Sequence, residues 1–490
     1  MAHSLPDQGP GAQLRALQRF RRDLHGCFTG WRDTLFELVD ALLVSPHRPP
    51  SLPWLTLEAP LRRGHGSVYR ALDRGRIDTT ALARALAGLV TGFADPGRGL
   101  VFAIDCSHWP RPDAATSPGR TFNYDAAKNR HRDHRSPVTA GWWFQWLACT
   151  NDDDSSWALP VDLAQVGPGD CHHQVAVAQI RALLERLPAG LPRVPTVCCD
   201  GDYSAAWLGR QLAGQPVQLL VRVRGDSVLF TDPPPRPAGT RGRPPVHGPA
   251  MKLSDPASWP APDEIRALPA RPDHGHPYEL SVLAWHGLHP RHSKKLPEPG
   301  HVPHPGATRE IVRGNVIRIQ SAKPGEKPIW LLWTGPAGSF DLDQAWRAYL
   351  HRFDIEHLFR FLKQHLGWTT PRLRTPEQAT RWSWLITAAY ATLAAARDIV
   401  SDLRLPWERP GLLSPCRVRR GFRALQPLLG TPAKPRQPIR PGPGRPPGHT
   451  TTPAPRHPVI RKQRRPSNPR QQTTNGPPLT RRPAREPTPG

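Results

Sequence analysis

Tyr349, Arg352, Glu356 and Lys363 stand in one short run, Y-L-H-R-F-D-I-E-H-L-F-R-F-L-K, with the spacing Y-x2-R-x3-E-x6-K. At 3.6 residues per turn, Arg352, Glu356 and Lys363 fall close to one face of a helix, with Tyr349 within a turn of Arg352. A carboxylate flanked on its own face by an arginine and a lysine suits holding a divalent cation beside a phosphate. A charge ladder on a solvated helix has the same pattern. Two more carboxylates bear on the choice. Asp105 closes the apolar run L-V-F-A-I-D and Asp200 closes V-P-T-V-C-C-D. Carboxylates at strand ends of an α/β sheet project toward a common edge. Two Asp and one Glu give an all-oxygen set with spare positions, which suits Mg²⁺ or Mn²⁺ and the cleavage of a phosphodiester. Each Asp alone reads equally as a turn or strand-end cap. Asp202, two residues further on, competes with Asp200, which is preferred because the apolar run ends there.

The elements that must position these residues are legible as changes of period. Residues 12–44 and 67–90 carry apolar residues at three- and four-residue spacing and read as helices. The second stretch reads as a helix, a turn centred on Gly75 and a second helix capped by Asp78 or Thr79. It fits a helix-turn-helix DNA reader or a plain helical hairpin. From Gly99 onward strands and helices alternate, predicting an α/β core. A-G-W-W-F-Q-W-L-A-C-T reads as a strand, residues 172–187 as a helix, and V-Q-L-L-V-R-V-R as a strand. One helix is expected over residues 341–366 and another over about 376–403. His172-His173 after Cys171 reads as a helix start or a loop in preference to a metal site.

The organisation expected is therefore an N-terminal helical region over 1–97, a core over 98–225, and an insertion of β-strands and loops over 226–338. The core resumes over 339–430, and a Pro/Arg-rich tail over 431–490 is expected to be disordered. That tail holds 13 Lys or Arg against one Glu, with 17 prolines. The formal net charge is +26, and about half of the excess lies before the tail. Such a chain expects a polyanionic partner, most often nucleic acid. K-N-R-H-R-D-H-R, from Lys128 to Arg135, is dense enough to line a DNA channel through Lys128, Arg130 and Arg132, although a solvated loop has the same composition. Asp152, Asp153 and Asp154 read as a turn, because adjacent side chains cannot all enter one site. The seven cysteines show no zinc-ligand spacing. The polar start and the short apolar stretches argue against a signal peptide or a membrane span, so a soluble, cytoplasmic, nucleoid-associated protein is expected.

The three carboxylate motifs together, I-D-C-S around Asp105, C-C-D-G-D-Y around Asp200 and the Y-x2-R-x3-E-x6-K run, resemble bacterial insertion-sequence transposases of the DDE superfamily, in the branch with the Y-R-E-K signature. The resemblance spans roughly residues 15–425. It implies an RNase H-like catalytic core with a β-rich insertion between Asp200 and Glu356. It further implies that Asp105, Asp200 and Glu356 are catalytic and bind Mg²⁺ or Mn²⁺, and that Tyr349, Arg352 and Lys363 contact DNA phosphates. In P-I-W-L-L-W-T, Trp330 matches a residue that takes up a flipped base in hairpin-forming members, though Trp330 and Trp333 also read as sheet-packing aromatics. The implied partners are double-stranded DNA with terminal inverted repeats and target DNA, bound by a homodimer that synapses two ends. An inactive DNA-binding relative and a repair or recombination nuclease of the same fold are the alternatives.

Overall fold

The computed structural model describes residues 10–124, 138–150, 155–273, 276–291, 311–323, 325–408, 410–437, 444 and 446–460. Its helices are α1 (Pro10–Cys27), α2 (Arg32–Val44), α3 (Leu52–Leu55), α4 (His65–Arg74), α5 (Thr79–Ala87), α6 (Val90–Phe93), α7 (His172–Arg186), α8 (Ala205–Gln211), α9 (Leu342–His351), α10 (Asp354–Gln364), α11 (Pro376–Ala396) and α12 (Pro415–Leu429). The strands are β1 (Phe28–Gly30), β2 (Arg76–Ile77), β3 (Val101–Pro110), β4 (Thr121–Tyr124), β5 (Val138–Thr150), β6 (Ala158–Val166), β7 (Thr196–Cys199), β8 (Gln218–Val223), β9 (Val228–Phe230), β10 (Ala250–Lys252), β11 (Glu264–Asp273), β12 (His276–Pro290), β13 (Gly314–Ser321) and β14 (Ile329–Thr334).

The N-terminal helices form where the sequence spacing expects them. Gly75 ends α4 at a point where a Cβ would collide with the Ala71 carbonyl, and Asp78 caps α5 by accepting from the Ala81 N–H at 2.9 Å. The segment between the two helices pairs, as β2, with β1, so the motif is laced to the rest of its region by a small ribbon. Two buried acids hold the region together. Arg21 grips Asp40 through two hydrogen bonds of 2.6 and 2.9 Å, and Arg62 and Arg63 both reach Glu37.

All the remaining strands form one mixed sheet in the order β10-β9-β12-β13-β14-β8-β7-β3-β5-β4, with β11 on β12 and β6 on β5. Among the described strands only β3/β7 and β7/β8 are parallel pairs. The segment expected as an insertion supplies β9 to β14, and β14 pairs directly with β8, so these strands extend the same sheet without a break. Alternation then assigns the faces. Cys198, Leu220, Leu331 and Trp333 face one side, where α9 packs through Leu342, Ala345, Ala348 and Tyr349. Trp146 and Phe144 share that side, since their cross-strand partners are Asp105 and Ser107. There they meet Phe359 of α10 and Trp368 edge-on at 5.5 to 6.3 Å. The opposite side carries Phe102, Ile104 and Cys199, and α7 packs on that side against β5 and β6.

The stretch expected as a single helix over 341–366 is broken. Between α9 and α10 the chain makes short-range turns, Arg352 N–H to the Tyr349 carbonyl at 3.2 Å and Glu356 N–H to the Phe353 carbonyl at 3.0 Å. The reason lies in packing. Helix α9 packs over the β8–β14 half of the sheet, whereas α10 lays Ile355, Leu358, Phe359 and Leu362 over the β3–β5 half. A straight helix cannot serve both, and the turn comes where the two halves meet. Helix α11 is buried on almost every side, as its long apolar run implies, and ends at Ala396, short of the expected Leu403.

Among its described residues the C-terminal tail forms neither helix nor strand beyond one bridge. It is nonetheless pinned: Ile460 lies parallel to Thr121, and buried Arg120 donates to the His457 carbonyl at 2.8 Å. Residues 461–490 lie outside the described residues. No described helix is long and apolar enough to cross a membrane.

Candidate active site

Strand β7 stops at Cys199, but its neighbour β3 continues to Pro110. Asp105 is therefore in the middle of a strand and not at its end, contrary to the sequence reading. The apolar run ends there because the pairing changes. Up to Ile104, β3 is covered on both edges, by β5 and by β7; beyond it only β5 remains. The parallel register runs Val101↔Thr196 to Ile104↔Cys199, and carried one residue on it sets Asp105 beside Asp200. Neighbouring strands lie about 4.8 Å apart, so the two carboxylates rise side by side at the sheet's opened edge.

Arg352, in the turn between α9 and α10, lies over this point. Its guanidinium donates to Asp105 Oδ2 at 3.1 Å, and the Cys106 N–H donates to Asp105 Oδ1 at 2.7 Å. Arg352 is 9% exposed, so it is committed to Asp105 and does not reach out toward a ligand. Burial raises the pKa of Asp105 to about 7, helped by the charges of Asp200 and Glu356 and opposed by Arg352. Asp200 is raised by burial and by Asp202, against the hydrogen bond that its Oδ1 accepts from the Asp202 N–H at 3.0 Å. Burial works against the Arg352 cation, but Asp105, Tyr349 and Asp200 outweigh it and hold it protonated. Glu356 is half-buried in the first turn of α10, near enough for its charge to act on both aspartates.

The geometry separates the other expected site residues. Asp202 is exposed, whereas Asp200 is half-buried beside Asp105. Lys363, two turns beyond Glu356 on α10, is half-buried with its ammonium 5.7 Å from the Trp368 ring. Tyr349 is 6% exposed and packs under α9, its ring 6.0 Å from the Arg352 guanidinium. Its hydroxyl is buried and has no hydrogen-bond partner among the described residues, so Tyr349 presents nothing to an outside phosphate in this conformation. Trp330 is 2% exposed and sits between Trp285 and Trp259 at 5.8 and 5.2 Å, which is the sheet-packing alternative. Trp330→Ala is accordingly expected to cost about 3–5 kcal/mol of stability in urea denaturation. A variant with wild-type stability would return Trp330 to the base-stacking role. Lys128, Arg130 and Arg132, like Asp152, Asp153 and Asp154, lie outside the described residues.

The model for the DDE superfamily endonuclease family matches residues 23–281, just over half of the chain. This chain belongs to the DDE superfamily of endonucleases. The match takes in Asp105 and Asp200 and stops before Glu356. No curated protein matches the chain. Among solved structures the chain is similar to a piggyBac transposase, seen by cryo-EM in a synaptic complex with hairpin DNA. The identity is 10% and the TM-score 0.35, over 86% of this chain and 74% of that one, too distant a likeness to bear on function.

Do the carboxylates of this endonuclease fit a divalent cation? Among the described residues, no three His, Cys, Asp or Glu side chains stand in a group ready-made for a metal ion. The donor chemistry fits all the same. Asp105 and Asp200 are adjacent oxygen donors whose ionisation is suppressed by burial, then by Asp200 at Asp105 and by Asp202 at Asp200, with Glu356 adding to both. A hard cation relieves that cost. Arg352 supplies the positive charge at present.

Behind the sheet edge lies a support that sequence reasoning did not single out. Tyr203, the last residue of the D-G-D-Y motif, is buried, its hydroxyl 3.0 Å from the side-chain amide of Gln145 and 3.8 Å from Cys106 Sγ. His173, at the start of α7, accepts the Ser204 N–H at 2.9 Å and meets the Tyr203 ring at a tilt and the Trp207 ring edge-on. The helix-start reading of His172-His173 thus holds, and its effect is to anchor the loop that leaves Asp200. Burial, then the His172 charge, lowers the His173 pKa to about 3. The unfolded chain therefore takes up a proton near pH 6.5 that the folded state refuses, and stability falls as pH drops from about 6.5 toward 3. His173→Gln keeps an acceptor without the titration. Its stability is expected to depend less on pH over that window, as thermal melts at pH 4.5 and 7.5 would measure. An unchanged acid limb would remove His173 from this role.

Proposed function

We propose that this DDE endonuclease is the transposase of a bacterial insertion sequence, of the Y-R-E-K branch, with an RNase H-like core. The reading is supported by one observation, Asp105 and Asp200 side by side under Arg352 with the charge of Glu356 acting on both. Asp105, Asp200 and Glu356 would hold Mg²⁺ or Mn²⁺, which supplies Lewis-acid activation of a water or 3′-hydroxyl for attack on a phosphodiester. The chain's own contribution is positional. The parallel register fixes the two aspartates, the packed face of α10 fixes Glu356, and the Cys106 N–H and Arg352 orient Asp105. Lys363 lies on Glu356's side of α10 and is suited to a substrate phosphate.

In this reading the enzyme nicks DNA at the terminal inverted repeats of its element and joins the freed 3′-ends to target DNA. It acts as a homodimer in a synaptic complex, because two ends must be held together, and works in the cytoplasm on the nucleoid. The net charge of +26 supports a DNA partner. The test is Mg²⁺-dependent nicking of DNA carrying the element's ends by the wild type and by Glu356→Ala.

A further inference from the structure

A second basic site lies apart from the carboxylates. The end of α2, the end of α10 and one face of α12 enclose a cleft of about 350 Å³. Arg419, Arg420 and Arg423 line it from α12, with His365 and Cys416 opposite one another at 3.4 Å, and no carboxylate lines it. His365 follows Glu356 by nine residues, and at about 100° per residue it falls on the other side of α10.

The charges here are unequally answered. Arg420 is paired with Glu408 at 2.7 and 3.0 Å. Arg419 is buried, yet among the described residues its guanidinium donates only to the carbonyls of Leu42 and His47, at 3.1 to 3.3 Å. Burial lowers its pKa to about 10, with Cys416 and Glu58 opposing. Arg423, at the mouth, is exposed and has no ion-pair partner among the described residues. A buried cation with only neutral partners is costly, and an anion in the cleft relieves that cost. Guanidinium groups converging on a concave wall match the oxygens of a phosphate.

We propose that this cleft is a phosphate site and that its occupant is a backbone phosphate of duplex DNA, held away from the bond that reacts. The choice of DNA over free phosphate rests on the proposed function and on the exposed Arg423 at the opening. The contact holds substrate and takes no part in the chemical step, so it acts on affinity.

The test uses the full chain with Arg423→Gln and Arg420→Gln, and with exposed Arg181→Gln on α7 as a control. Arg419 is left intact, since its loss would strand two buried carbonyls. The readout is the slope of log Kobs against log salt on duplex DNA. Each lost phosphate contact lowers that slope by about 0.9. Arg423→Gln is expected to lower it by about that amount and to weaken binding several-fold at low salt. Its thermal midpoint and its nicking rate at saturating DNA should stay unchanged, with Arg181→Gln unaffected throughout. Thermal midpoints with inorganic phosphate, at matched ionic strength, form the second arm. Wild-type DNA binding with an unchanged slope in both cleft variants overturns the proposal, and phosphate stabilisation in that case assigns the cleft to a free anion. Failure of the wild type to bind duplex DNA at any salt would instead bring down the proposed function, and the cleft's assignment with it.

Discussion

Glu356→Ala should abolish Mg²⁺-dependent nicking, by on the order of 10³-fold or more, while the protein keeps its fold. A thousandfold is about 4 kcal/mol of transition-state stabilisation, a reasonable share for one of three carboxylates supporting a metal-assisted displacement. The fold should survive because α10 is held by Ile355, Leu358, Phe359 and Leu362, none of which touches the substitution's purpose. Two small effects on stability oppose each other. Losing an acidic residue from the first turn of α10 costs about 0.3–1 kcal/mol. Against that, Glu356 repels Asp105 and Asp200, and its removal relieves the repulsion. Nicking should thus vanish with a thermal midpoint close to that of the wild type. Nicking within a few-fold of the wild type would sink the catalytic assignment; a joint loss of nicking and folding would mark Glu356 as structural.

Arg352→Met is expected to act in the opposite way, as a stability defect that depends on pH. The Arg352–Asp105 pair is largely buried, with 11% and 14% of the two side chains exposed, and breaking a buried pair costs about 3–5 kcal/mol. In the wild type Asp105 already has a folded pKa of about 7 against an ordinary value of 3.8. Between those values the folded state holds a proton that the unfolded chain has lost, so this group's contribution falls as pH rises from about 4 to 7. Removing Arg352 takes away the main charge that favours ionised Asp105. The folded pKa moves further up, and the fall continues to higher pH. Urea denaturation at pH 5 and pH 8 should show a modest loss in acid, where Asp105 is protonated in both proteins, and a much larger one at pH 8. Equal losses at the two pH values would mean that Arg352 stabilises through packing and not through its charge on Asp105.

Asp105 and Asp200 were visible in the sequence because each closes an apolar run, and Glu356 because of its spacing from Tyr349, Arg352 and Lys363. The turn at Gly75, the Asp78 cap and the buried run of α11 were visible too, since backbone geometry and short-range hydrogen bonds act within a few residues. The break between α9 and α10 was not visible. Y-L-H-R-F-D-I-E-H has no proline or glycine, and its period is helical throughout. Only the need to pack on two halves of a sheet bends it at Arg352. The same limit explains Tyr349 and Trp330, whose types suit a DNA contact equally well as a core. Tyr349 lies in one buried cluster with Leu220 and Leu331, and Trp330 packs with Trp285, residues far away in the chain.

By itself, then, the sequence determined the inventory: an α/β alternation, three carboxylates, and a basic chain suited to a polyanion. Those properties are set by residue type and by spacing along a few turns or strands. The tertiary structure decided the assignments. It set Asp105 beside Asp200 through a parallel register, turned Arg352 inward as Asp105's counter-ion, and buried Tyr349 and Trp330. Strand register and helix packing are contacts between residues distant in sequence, and a local pattern carries no record of which distant surface will cover it.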